Sequence, residues 1–204
     1  MKCATRCLFS LFGIWLAGET VASAQTMNTN HTEFAYVGGG CFWCVEAVFQ
    51  RIPGVVSITS GYAGGTTENP TYEQVCTGTT GHAEVTRIEF EPQKISYAKL
   101  LGYFWEAHDP TTLNQQGADV GTQYRSIILY ADEAQKTAAE QSKTEAQKNF
   151  RKAIVTEIVP LKKFYAAEKY HQNYYNDNPD QGYCRVVIKP KVEKIEKKLK
   201  DEKH

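Results

Sequence analysis

The chain has 204 residues, 42% hydrophobic and 23% charged, which supplies apolar material for one compact core and not comfortably for two. Lysine plus arginine (23) balances aspartate plus glutamate (23), so no overall field would hold the protein on nucleic acid or on an anionic membrane. Six cysteines stand against two methionines, Met1 and Met27, so the sulfur of this chain is mostly thiol.

At the N-terminus Lys2 and Arg6 precede an apolar run from Cys7 to Ala17, which gives way to Val21-Ala22-Ser23-Ala24-Gln25. This is the pattern of a secretory signal peptide over residues 1–24 with an A-x-A cleavage site after Ala24, and it predicts a periplasmic or secreted protein. The run is shorter than the roughly 20 apolar residues that a bilayer span needs, so no stable membrane insertion is expected after cleavage; an uncleaved anchor is the alternative. Cleavage discards Cys3 and Cys7 with Lys2, Arg6 and Glu19, leaving a formal charge of about −1 and four cysteines where disulfides are permitted. Residues 25–32 are polar and aperiodic and read as a flexible leader, and residues 33–204 as a single domain.

Phe34 to Val37 predicts a short strand running into Gly38-Gly39-Gly40. Val45, Val48, Phe49 and Ile52 then mark one helix face, stopped by Pro53-Gly54. From Val56 to Tyr62 the residues alternate as a strand, with Val56, Ile58, Ser60 and Tyr62 on one face. Residues 64–81 read as loop, and a second clear strand runs from about Ala83 to Phe90. Ser96 caps a helix whose Tyr97, Leu100, Leu101, Phe104, Trp105 and His108 share a face. A polar loop over 109–124 leads to a buried strand from Tyr124 to Tyr130. Asp132 caps a surface helix reaching about Lys148, and Ile154 to Val159 predicts another strand. Beyond Pro160 the chain is tyrosine-rich and irregular, with a short helix around Glu168 to Tyr175 and a lysine-rich helix over 190–201. The class is mixed α/β, one layer of sheet covered by helices.

Chemistry concentrates at Gly38-Gly-Gly-Cys-Phe-Trp-Cys44. A strand-to-helix turn puts Cys41 at the first helical turn, where unpaired backbone N–H groups favour an anion, so a lowered thiol pKa is expected. Phe42 and Trp43 add an apolar wall. Zinc would need a second pair of ligands, and Cys76 and Cys184 are isolated. Cys41-x-x-Cys44 also fits a thiol-disulfide oxidoreductase, and a secreted binding module stapled by its cysteines is the non-enzymatic alternative.

Gly40-Cys-Phe-Trp43, Gly61-Tyr-Ala-Gly-Gly65, Asn69-Pro-Thr-Tyr72, Val75-Cys-Thr-Gly78, Thr80-Gly-His-Ala-Glu84 and Gly121-Thr-Gln-Tyr-Arg125, in this order, resemble the A-type peptide methionine sulfoxide reductases from about Tyr36 to Lys194. The resemblance implies a ferredoxin-like α/β sandwich. It also implies reduction of the S epimer of methionine sulfoxide, free or in proteins, with no metal or organic cofactor and a thioredoxin-like reductant as electron donor; the protein is expected to be a monomer. By the same resemblance Cys41 is the nucleophile and Glu84 the acid that protonates the sulfoxide oxygen, in an apolar setting that keeps it protonated. Tyr72 and Tyr124 would bond that oxygen, Asp119 would order the polar network, and Phe42 and Trp43 would receive the substrate methyl. The sulfenic acid left on Cys41 then needs a second thiol. Cys184 matches the family's resolving cysteine on a flexible C-terminal segment, Cys44 is the alternative, and Cys76 reads as structural. His171 is a candidate for the rim of the site.

Overall fold

The computed structural model describes residues 31–202; the expected signal peptide and all but the last two residues of the leader lie outside them. The chain enters as strand β1 (Glu33–Gly39), turns into helix α1 (Phe42–Phe49) and returns as β2 (Val55–Ala63). A short helix α2 (Tyr72–Cys76) precedes β3 (Ala83–Phe90) and α3 (Tyr97–Ala107). A hairpin of two-residue strands, β4 (Gln115–Gln116) and β5 (Asp119–Val120), leads through a 3-10 turn at Thr122–Tyr124 into β6 (Ser126–Tyr130). Then come α4 (Glu133–Gln147), β7 (Glu157–Pro160), β8 (Phe164–Ala166), a 3-10 turn at Lys169–His171, α5 (Tyr174–Asp177), a π turn at Cys184–Ile188 and α6 (Lys189–Asp201).

Six strands form one sheet in the order β7-β6-β1-β3-β2-β8. Its four central strands, β6-β1-β3-β2, are antiparallel neighbours joined by α1 and α3 as crossovers, which is the ferredoxin-like arrangement the resemblance implies. The edges are extended by β7, parallel to β6, and β8, antiparallel to β2. Alternation along β1 and β3 sends Ala35, Val37, Ile88 and Phe90 into the larger core, against Val45, Val48 and Phe49 of α1 and Leu100, Leu101 and Phe104 of α3. Ala83, Val85, Ile127 and Leu129 form a smaller cluster on the other face.

Five local readings change. The register of β2 slips between Val55 and Ser57, so Val56 is 53% exposed while Ile58 packs against the core and Ser60 and Tyr62 are buried. The segment 64–81 contains α2, held by a reciprocal capping box in which Thr71 accepts from the Gln74 N–H and Gln74 from the Thr71 N–H. Tyr124 closes a 3-10 turn ahead of β6, and the strand predicted from Ile154 starts at Glu157. Beyond Pro160 the chain adds the edge strand β8 through pairing with Gly61, Tyr62 and Ala63, partners that no local pattern reveals.

Gly38 lies so close to β3 that an added Cβ would sit 2.5 Å from the Glu84 carbonyl oxygen and 2.9 Å from Ile127 Cγ2. Gly38→Ala should therefore lower the unfolding free energy by about 1–3 kcal/mol through overpacking. Gly102→Ala, on α3 where a Cβ meets nothing within 4 Å, should raise it by about 0.5–1 kcal/mol. Urea denaturation of both variants checks the pair, and equal effects would contradict the packing described here.

Candidate active site

The site forms where β1 hands over to α1. Gly40 carries φ +91°, a left-handed conformation that glycine adopts freely, and a Cβ there would meet Gln116 at 2.6 Å. The turn leaves Cys41 as the N-cap of α1, with the Cys44 N–H donating to the Cys41 carbonyl at 3.0 Å. The first helical N–H, that of Phe42, donates to Glu84 Oε2 at 2.9 Å. Glu84 thus reaches the helix start from β3, a central strand, and is 2% exposed. Burial is the main cause that lifts its pKa to about 8; the Phe42 N–H opposes this and the charge of Asp119 adds to it. The carboxyl is therefore mostly protonated at neutral pH, as its apolar setting led us to expect.

The thiols differ from expectation. Burial pushes the Cys41 thiol up, reinforced by its contact with Cys44 and by any charge on Glu84, and this outweighs the helix start that predicted a lowered value. The Cys44 thiol is lowered, chiefly by its hydrogen bond with Cys41. Cys44 Sγ also lies 3.8 Å from the Tyr183 hydroxyl. Cys184 is wholly buried on the π turn that leads into α6, in one cluster with Cys41 and Cys44. It therefore does not ride a flexible tail: Ile188, Val192 and Ile195, buried on the turn and α6, anchor the segment. Cys76, at the end of α2, is exposed rather than packed as a structural residue. Cys41, Cys44, Cys76 and Cys184 are all free in this structure. Among the described residues, no cluster of three or more His, Cys, Asp or Glu is placed to hold a metal ion.

Tyr72 and Tyr124 pack half-buried on the same cluster as Cys41, and burial raises both phenols well above their ordinary range, with the charge of Glu84 contributing to each. Asp119 accepts from the Tyr183 hydroxyl at 2.6 Å. Phe42 is buried, its ring 6.2 Å from that of Trp43. The structure thus places Phe42, Trp43, Cys44, Tyr72, Tyr124 and Cys184 in one cluster with Cys41, Glu84 at the start of its helix, and Asp119 on Tyr183 of the same cluster. It adds three that the sequence reading passed over: Tyr183, Tyr174 and Glu168. Tyr174 stacks on Trp43 at 3.7 Å and 8°. Glu168 accepts from the Tyr62 hydroxyl at 2.8 Å and from the Tyr72 N–H at 2.9 Å, tying α2 to the sheet. For Tyr183 a signal was present in its position directly before Cys184; the other two depend on long-range packing. His171, a rim candidate, is 2% exposed among Phe42, Trp43 and Tyr72, and burial lowers its pKa.

A buried, protonated carboxyl beside a cysteine at a helix start, walled by aromatic rings, defines a thiol-dependent oxidoreductase site that can protonate a leaving oxygen. The family model for peptide methionine sulfoxide reductase matches residues 33–204. A peptide methionine sulfoxide reductase of Leptospira borgpetersenii serovar Hardjo-bovis is 57% identical over 162 residues, 79% of this chain and 92% of that protein. Among solved structures, Mxr1 from Saccharomyces cerevisiae in reduced form is similar with a TM-score of 0.72 and 35% identity, covering 75% of this chain and 89% of that one. The same yeast protein in complex with Trx2 aligns with a TM-score of 0.52 and 25% identity over 74% and 91% of the two chains. The chain belongs to the peptide methionine sulfoxide reductase family, and its activity is the reduction of methionine sulfoxide.

The raised Glu84 pKa also sets a dependence of stability on pH. Unfolding returns the carboxyl from about 8 toward its ordinary 4.5, so the native state binds the proton more tightly. Its contribution to stability is fully present below about 4.5 and is lost as pH rises through about 8. Glu84→Gln should remove that loss, so that denaturation midpoints of variant and wild type diverge between pH 5 and 8 at roughly the slope of a single proton. Parallel curves over that range would refute the assignment.

Proposed function

We propose that this enzyme reduces the S epimer of methionine sulfoxide, free and in proteins, through Cys41. Cys41 attacks the sulfoxide sulfur as Glu84 gives its proton to the sulfoxide oxygen, the carboxylate so formed takes up the proton of the Cys41 thiol, and the Tyr72 and Tyr124 hydroxyls bond that oxygen as charge develops on it. Asp119 orders the polar side of the pocket through Tyr183, and Phe42 with Trp43 receives the substrate methyl. The hydroxyl then passes from the substrate sulfur to Cys41 as the bond between the two sulfurs breaks, which releases methionine and leaves a sulfenic acid on Cys41; a second thiol condenses with it to form a disulfide and water. The observation that carries this reading is the buried Glu84 carboxyl, tied to the Phe42 N–H at 2.9 Å and lifted to about 8. A thiol-disulfide oxidoreductase using Cys41 and Cys44 has no leaving oxygen for such an acid to protonate.

In this reading Cys184 resolves the sulfenic acid, and the π turn at Cys184–Ile188 is the segment that opens to deliver it. A second reading, resolution by Cys44, is favoured by the direct contact of its thiol with that of Cys41. The disulfide is then returned to thiols by a thioredoxin-like reductant, a partner supported by the similar yeast protein solved with Trx2.

Cys41→Ser should abolish release of methionine from the S-sulfoxide in dithiothreitol, and retained turnover would overturn the scheme. Glu84→Gln should slow single-turnover reduction by about 10²-fold, near the lower end for loss of a general acid, because the amide still donates a hydrogen bond. With thioredoxin as reductant, Cys184→Ser should release one methionine per enzyme and stall, and sustained turnover in that variant would assign resolution to Cys44.

A further inference from the structure

The mechanism leaves one buried carboxyl unused. Glu46 lies on α1, one turn beyond the first, and is 2% exposed. Burying a carboxyl is costly unless hydrogen bonds compensate, so its partners show what the position is for. Glu46 Oε1 accepts from the backbone N–H of Asn173 at 2.9 Å. Asn173 is left-handed, with φ +55°, and stands between the 3-10 turn that ends at His171 and helix α5. Gln50, the residue that caps the C-terminus of α1, donates to Asn173 Oδ1 at 3.1 Å. Gln172 is fixed as tightly from the other side, its amide accepting from the Ser60 N–H and donating to the Ser60 carbonyl, both at 2.9 Å.

This pinned corner carries two side chains of the pocket. Tyr174 follows Asn173 and stacks on Trp43 at 3.7 Å. His171 lies two residues earlier, its ring centroid 4.5 Å from that of Tyr72 and 5.1 Å from that of Phe42. A single helix therefore holds the nucleophile at its first turn and the far wall of the pocket at its later turns. We propose that Glu46 is a positioning residue for substrate binding: by holding the Asn173 N–H it keeps Tyr174 stacked on Trp43 and so sets the width of the aromatic wall that receives the sulfoxide side chain. This rests on the reading of Phe42 and Trp43 as the substrate pocket. Glu46 touches neither the sulfoxide nor Cys41 in this account, and its loss should weaken binding of ground state and transition state alike.

Steady-state reduction of the S epimer of N-acetylmethionine sulfoxide, with dithiothreitol as reductant, separates the roles. Glu46→Ala should raise KM about tenfold and leave kcat within about twofold, the signature of lost uniform binding. Glu46→Gln, whose amide oxygen still accepts the Asn173 N–H, should bring KM back to within about threefold of wild type. Tyr174→Ala should raise KM similarly, and the double variant should be no worse than about the Tyr174→Ala single, because both act through one stack. An unchanged KM in Glu46→Ala, a fall in kcat at constant KM, or multiplying effects in the double variant would each overturn the proposal. Should Glu46→Ala fail to fold, an unchanged KM in Tyr174→Ala overturns it equally. Failure of the wild type to reduce the sulfoxide would instead count against the functional reading itself.

Discussion

Much of this molecule is organised around one hydrogen bond, from the Phe42 N–H at the start of α1 to Glu84 Oε2 on β3. A carboxyl 2% exposed to solvent pays heavily for a negative charge, and a single backbone donor does not compensate fully, so the proton stays on up to about pH 8. The N–H occupies one oxygen and leaves the other to carry the proton. A carboxylic acid held this way beside a thiol suits a reaction in which oxygen must leave sulfur, because that oxygen departs readily only once it is protonated.

The sheet order makes that bond possible. With β3 between β1 and β2, the strand that bears Glu84 runs beside the strand that delivers Cys41. The close approach is bought with glycine: Gly38 abuts the Glu84 carbonyl, and Gly40 turns the chain left-handed into α1. Around this pair the remaining site residues come from segments far apart in sequence. Tyr72 is held by Glu168, Asp119 by Tyr183, and Trp43 is covered by Tyr174. The segment from Glu168 to Tyr183 thus acts as a strap over the site, fastened by Glu46 of α1 and by its own Gln172.

What could be read from sequence follows the range of the interactions involved. The α1 stripe of Val45, Val48, Phe49 and Ile52 and the β3 alternation are local periodicities imposed by one large core, and both appear where expected. Cys41 at a helix start is equally local, resting on the glycines before it. The α2 helix has five residues, too few to show a period, although its Thr71-x-x-Gln74 capping box was there to be read. The flexible segment expected around Cys184 was not found, because the burial of its turn depends on Ile188 and Val192 packing into a cluster built from distant parts of the chain. The Cys41 pKa was misjudged for a related reason: helix-start electrostatics can be read from the motif, whereas the burial of Cys41 is a property of the folded chain. The family motifs picked out the candidate site residues, and the contacts that hold them in place required the fold.

The central claim is that Glu84 is a protonated acid at neutral pH. Carboxyl carbon NMR of glutamate-labelled protein, with Glu84→Gln used to assign the resonance, reads its titration directly. The account predicts a Glu84 signal in its protonated position at pH 7 and a midpoint near 8. A midpoint near the ordinary 4.5 would show an ionised carboxylate at neutral pH and contradict the account.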